Sequence, residues 1–86
     1  MEYDKEKADE LALALLQLTA FEDRGVRRAW KGIDWEIMNR LHQKGFISDP
    51  RNKAKSVVFS DEGFRQSREL YRKHFGIDND ESGGGA

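Results

Sequence analysis

The sequence predicts an α+β domain of three helices, with a two-stranded β-hairpin between the second and the third. Three observations carry that expectation. The stretch 39–63, NRLHQKGFISDPRNKAKSVVFSDEG, runs through a glycine stop, a short β-rich segment, a basic Pro-containing turn, a second β-rich segment and a helix cap. Apolar residues on either side of it recur at helical spacing. Asp4, Asp34 and Ser60 stand where those periodic segments begin, and each can accept a backbone N–H bond at a helix start. A helix feeding a hairpin and then a closing helix is a winged-helix-like order. It suggests a binding surface rather than a catalytic pocket.

The first helix is expected over residues 4–19. Asp4 caps it and Glu6 places negative charge in its first turn. Ala8, Leu11, Ala12, Leu15, Leu16 and Thr19 follow the spacing of one buried face, and Leu13 and Leu18 fall outside it. A helix apolar on more than one face is central or meets a second chain. Leu13 and Leu18 are therefore the candidate oligomer interface. The alternative is that the following loop, with Phe21, Val26 and Trp30, folds back over the extra leucines. Residues 20–33 are less regular, because Gly25 and Gly32 interrupt any helix and leave room for one turn around 26–30.

The second helix, 34–44, has matching end signals. Asp34 is its N-cap, and Ile33 and Met38 occupy the positions of a hydrophobic staple. Ile37, Met38 and Leu41 form the inward face. Gly45 sits where a left-handed backbone is needed, with Phe46 placed to pack on Leu41. Phe46 and Ile47 begin a strand, 48–52 is turn chemistry, and 55–59 is the return strand. Alternation puts Val57 and Phe59 on one face of it. Ser60 caps the third helix, whose stripe is Phe64, Ser67, Tyr71 and Phe75, with Leu70 and His74 beside it. Gly76 is expected to end that helix as Gly45 ends the second, with Ile77 reaching back to Tyr71. Residues 78–86 read as a disordered polar tail whose glycine run is a cloning scar. The predicted domain is thus 1–77.

Eighty-six residues make one domain with a small core. With no cysteine, disulfides and thiolate metal sites are excluded. No apolar run approaches membrane-spanning length and the first residues are acidic, so a cytoplasmic protein without a membrane partner is expected. The formal net charge of −1 conceals an asymmetry. Residues 1–23 hold two lysines against seven carboxylates, whereas 24–55 hold nine Lys/Arg against three. A basic middle between acidic ends suits a local anion-binding face; the alternative is a solvated surface or pairing with the acidic first helix.

The run LHQKGFI, a basic turn, KSVVFSDEG and a long helix resembles the wing region of MarR- and PadR-type bacterial regulators. That resemblance implies a winged-helix fold and double-stranded DNA as a partner. It is incomplete, because a full helix-turn-helix needs one more helix, which residues 20–33 would have to supply. Over nearly the whole chain to Phe75, the sequence is also similar to a small bacterial family of unknown function. The likeness lies in Ala14-Leu15-Leu16, Leu18-Thr19, Arg28-Ala29-Trp30-Lys31-Gly32, Asp34-Trp35, Arg40-Leu41, Lys44-Gly45, Ile47 and Lys53-Ala54-Lys55-Ser56-Val57-Val58.

The candidate nucleic-acid contacts are Arg27, Arg28 and Lys31, before the second helix, and Arg51, Lys53 and Lys55 on the wing. Arg40 and Lys44 would extend that face along the second helix. Trp30 and Trp35 are read as core, with base stacking as the alternative. His42 is read as a helix-surface residue and His74 as partly packed. The two histidines have no metal-ligand spacing, and no nucleophile elbow, P-loop or dinucleotide fingerprint is present. No catalytic residue, metal or cofactor is expected. The sequence therefore points to a non-enzymatic bacterial binding module, nucleic-acid-associated or regulatory. The alternative is a protein-interaction or dimerisation module on the same scaffold without DNA binding.

Overall fold

A computed structural model describes residues 2–76. In chain order its elements are α1 (Lys5–Leu18), β1 (Phe21–Asp23), β2 (Val26–Trp30), α2 (Trp35–Gln43), β3 (Ser56–Val58) and α3 (Asp61–Phe75). The class is α+β with three helices, as expected, and the three helix starts are those read from the caps. The Asp4 side chain accepts from Lys7 N–H at 3.0 Å, Asp34 from Glu36 N–H at 3.0 Å and Ser60 from Gly63 N–H at 2.9 Å. Ile77 and the 78–86 segment lie outside the described residues.

The strands correct the expected topology. The three-stranded antiparallel sheet has the order β1-β2-β3, and its hairpin lies between α1 and α2 rather than between α2 and α3. Asp23 faces Val26 across a two-residue turn, Arg24-Gly25, with φ of 55° and 81°. Positive φ at both positions is what a type I′ turn demands, and that turn's twist matches paired strands. Gly25 is therefore a hairpin turn, and 26–30 is a strand rather than a helical turn. β3 pairs with β2, Ala29 facing Val57. The hairpin expected after α2 is reduced to one bridge, Ile47 to Phe59, and two bonds between Ser48 and Val58.

One face of the sheet packs on the helices. Ala29 and Val57 are fully buried there with Leu13, Leu16, Met38, Leu41, Ile47 and Phe59. Each large side chain so buried contributes roughly 1.5–3 kcal/mol. Helix α1 lies antiparallel along α3, since Glu10 meets Lys73 while Gln17 meets Ser67.

The buried residues of α1 are Asp9, Ala12, Leu13, Ala14 and Leu16; Asp9, Ala12, Leu13 and Leu16 form a stripe one residue out of phase with the expected one. Leu13 is 1% exposed and belongs to the core, so it is not an interface residue. Leu11 and Leu15, expected inside, are exposed together with Leu18. The displacement has a physical cause. Asp9 is 2% exposed, and its carboxylate takes both oxygens' bonds from Arg40 Nε at 2.9 Å and a third from Lys44 Nζ at 3.0 Å. A carboxylate satisfied in this way can occupy a core-facing position that only an apolar residue would otherwise take.

Helix α2 ends as read. Gly45 has φ 80°, its N–H bonds to His42 C=O at 2.9 Å and Phe46 N–H to Leu41 C=O at 3.0 Å, the two bonds of a Schellman motif. Gly76 differs. Its φ is −67° with extended ψ, so α3 stops without a left-handed residue. Gly63 is held by close approach. Ser60 N–H bonds to Phe46 C=O at 3.0 Å and Ser60 Oγ donates to Gly45 C=O at 2.5 Å. The first turn of α3 thus lies on the α2 exit, where a Cβ on Gly63 would overlap the Phe46 carbonyl.

Two stability outcomes are expected, both readable by urea titration. Gly45→Ala costs about 1 kcal/mol, since its Cβ meets no atom and only the left-handed backbone is strained. Gly63→Ala costs more, roughly 3 kcal/mol or above, because the rigid Phe46 backbone has to move. A Gly63→Ala protein as stable as the Gly45→Ala one contradicts the close packing.

Asp9→Asn should cost about 3 kcal/mol, the low end for breaking a buried pair, because Arg40 and Lys44 keep 21% and 30% exposure and regain some hydration. Burial pushes the Asp9 carboxyl up, but hydrogen bonds and charge from Arg40 and Lys44 outweigh it and hold it below the ordinary value. A carboxyl with a depressed folded pKa stabilises fully above its unfolded pKa, near 4, and loses that contribution as pH falls through the folded value. The gap between wild type and Asp9→Asn should therefore be constant near neutrality and shrink below about pH 4.

Candidate functional site

The face of the sheet turned away from the helices is built by strand parity. Phe21 lies directly opposite Arg28, and Arg28 and Trp30 are two residues apart, so all three share that face. Their rings and charge meet there. Phe21 and Trp30 stack with centroids 4.6 Å apart and planes 26° from parallel. Trp30 is 54% exposed, and Trp35, at the start of α2, is 57% exposed. Neither indole is core, which corrects the sequence expectation. Alternation along β2 explains Trp30: Ala29 takes the buried position, so its neighbour points out.

The cations at this end of the sheet have neutral partners. Arg28 Nε donates to Ser56 Oγ at 2.7 Å. Lys31 N–H bonds to Lys55 C=O at 3.1 Å, and Lys31 Nζ donates to Asn52 through its carbonyl at 3.0 Å and its side-chain oxygen at 2.8 Å. Hydroxyl and amide oxygens orient a cation without neutralising it. The loop they reach is ordered from within. Arg51 N–H and Ala54 N–H bond to the side chains of Asp49 and Asn52, and Asn52 Nδ2 to Asp49 C=O.

Of the six predicted contacts, the structure thus brings Arg28 and Lys31 beside the loop that carries Arg51, Lys53 and Lys55. Lys53 and Lys55 are exposed and make no ion pair among the described residues. Arg51 is exposed but paired with Asp49 at 3.3 Å; the Arg51 N–H bond, and after it this side-chain contact, hold the Asp49 carboxyl below its usual range. Arg27 stands apart. It is on the opposite face from Arg28, with its guanidinium 4.1 Å from the Phe64 ring centre. Arg40 and Lys44 do not extend the face either, being held by Asp9 and Glu6. His42 is half-buried, its Nδ1–H donating to Ile47 C=O at 3.0 Å, so it ties α2 to the segment after it. Sequence reasoning placed Phe21 in a loop folding back over the leucines of α1 and missed its place in a strand, stacked on Trp30. The signal was the pair of strand-like segments around Arg24-Gly25.

A cleft of about 440 Å³ opens beside Asp9, with Glu6, Glu10 and Lys44 above Leu13, Leu41 and Leu70. Lys44 pairs there with Glu6 and Asp9, and Glu10 pairs with Lys73 on α3. Among the described residues, no group of three or more His, Asp or Glu is placed to hold a metal. No helix among them is long and apolar enough to cross a membrane.

Residues 4–77 match the model of the family described as domain of unknown function DUF6429. The chain belongs to that family. It is 52% identical over 75 residues to the uncharacterised protein y4hR of Sinorhizobium fredii, covering 87% of this chain and 97% of that protein. No solved structure matches the chain significantly. In this DUF6429 member the sheet face of Phe21, Arg28 and Trp30, with the 51–55 loop beside it, is the surface whose exposed chemistry the packing does not account for.

Truncating Trp30 tests that placement. Trp30→Ala should cost about 1 kcal/mol, the worth of one exposed aromatic pair, whereas a buried tryptophan would cost roughly 3–5 kcal/mol. Urea unfolding of the variant separates the two.

Proposed function

We propose that this protein is a non-enzymatic nucleic-acid-binding module whose contacts are to phosphates. One observation carries the reading. Arg28 and Lys31 are positioned by Ser56 and Asn52 rather than by carboxylates, and they adjoin a loop with three further cations beside an exposed indole. Cations meant only for internal pairing would be expected beside acids, as Arg40 and Lys44 are. Arg28, Lys31, Arg51, Lys53 and Lys55 are the contact residues of the proposal. Arg27 is left out because Phe64 holds it on the other face. The acidic ends of the chain oppose long-range attraction, so affinity is modest.

A second reading has its own observation. Leu11, Leu15 and Leu18 are exposed at i, i+4, i+7 on α1, a stripe suited to a protein partner or a second copy of the chain. The two readings separate in a salt titration with single- and double-stranded oligonucleotides.

Binding by phosphate contacts should weaken with salt, the logarithmic slope falling by roughly 0.7–0.9 for each contact removed. Replacing Arg51, Lys53 and Lys55 together by alanine should lower that slope and weaken binding to all sequences alike, because phosphate contacts carry no base information. An absence of binding to either form at low salt would leave the protein-interaction reading.

A further inference from the structure

The nucleic-acid reading leaves open which form of nucleic acid the face would take. Duplexes are read by an element that enters a groove, usually a helix carrying cations and amides. Helix α2 is poorly equipped for this. Its N-terminus carries Asp34 and Glu36, which repel phosphate, and its own cations Arg40 and Lys44 are bound to Asp9 and Glu6. The β1–β2 hairpin carries Glu22 and Asp23 just before its Arg24-Gly25 tip. Helix α2 brings no net positive charge to a groove, and of the hairpin's three arginines Arg27 lies over Phe64 and Arg28 is bonded to Ser56, which leaves Arg24 at the tip beside those two acids.

The sheet face has a different chemistry. Trp30 lies on Phe21, so one side of the indole is supported and more than half of the residue is open to solvent. Pre-stacking removes most of the side-chain freedom that a base would otherwise have to freeze. Arg28, two residues along the same strand, adds a second planar group with a charge. An aromatic plate beside Arg28, Lys31, Lys53 and Lys55, which have no carboxylate partner among the described residues, complements a base joined to a phosphate. The base has to be unpaired, because paired bases in a duplex bury their π faces against one another.

We infer that the Phe21–Trp30 pair is a base-stacking platform, and that the ligand is a single-stranded nucleic acid engaged by stacking on Trp30 and by phosphate contacts from Arg28, Lys31 and the 51–55 loop. This inference rests on the nucleic-acid reading above and adds the form of the ligand and the group that recognises it.

The test uses the full chain carrying Trp35→Phe, which leaves Trp30 as the single tryptophan of the two in the sequence. A single strand of about 12 thymidines, within the usual footprint of stacking surfaces, and a duplex of the same length are titrated at low salt. Trp30 emission reports stacking, and the anisotropy of a labelled oligonucleotide reports affinity. The single strand should quench Trp30 and bind about ten-fold more tightly than the duplex. Trp30→Ala should weaken single-strand binding about ten-fold, the effect of losing one base–aromatic stack. Trp30→Phe should retain most of the affinity, and as a ring-for-ring exchange it keeps the test open if the alanine variant folds poorly. Duplex binding as tight as single-strand binding overturns the inference, as does an unchanged affinity in Trp30→Ala; both leave the nucleic-acid reading in place. Absence of binding to both oligonucleotides overturns the two together.

Discussion

The carboxylate of Asp9 is the constraint on which the rest of the arrangement depends. Burying an ionised carboxylate is expensive unless every lone pair finds a donor. Here Arg40 and Lys44, one turn apart on α2, supply those donors. The requirement sets the rotation of α1, so that Leu13 and Leu16 enter the core while Leu11, Leu15 and Leu18 stay outside. It also sets the position of α2 against α1, and with it the exit at Gly45 on which Ser60 and Gly63 seat α3. An apolar residue at position 9 would pack as well, yet would accept many rotations of the helix. The charged one accepts the rotation that brings its partners within reach.

That same cluster separates two populations of cations in a chain whose formal charge is nearly balanced. Arg40 and Lys44 are neutralised where they stand, and Arg65, Arg51 and Lys73 also have carboxylate partners. Arg28 and Lys31 have neutral ones. The basic middle of the sequence is therefore not one patch. Part of it is structural, binding the helices to one another, and part is displayed at the end of the sheet where β2 leaves for α2. Residue type alone could not make this division, because it depends on which acids the fold brings near.

The sequence was most legible where chemistry is local. An N-cap needs an acceptor within three residues, and Asp4, Asp34 and Ser60 supplied it in place. The α2 stop needs a residue tolerant of positive φ followed by an apolar one, and Gly45-Phe46 met both conditions. Legibility failed where the deciding partner is distant. Nothing near Asp9 in sequence announces Arg40 and Lys44, so the stripe of α1 was placed one residue away from its true phase. The β1–β2 hairpin was hidden for a related reason: its turn is Arg-Gly rather than the more familiar Asn-Gly, and its strands are rich in charge. Once that hairpin is missed, the parity that exposes Trp30 and pairs it with Phe21 cannot be seen, and an indole in a small domain is assigned to the core.

The exposure of Trp30 follows from the smallness of Ala29. β2 is the central strand, and its inner face has to fit beneath α1 with Val57 opposite. A small residue there lets the helix approach closely and leaves the bulk of the strand on its outer side. The outer face then carries an aromatic, a guanidinium and a second aromatic within two residue pairs, with no helix among the described residues covering them. Such a face is costly to leave in water, since a buried indole would have contributed several kcal/mol to a small core. The stack on Phe21 recovers only part of that. In a domain with so little apolar area to spare, the needs of its own stability do not account for an exposed Trp30, and the proposed binding surface gives that exposure a reason.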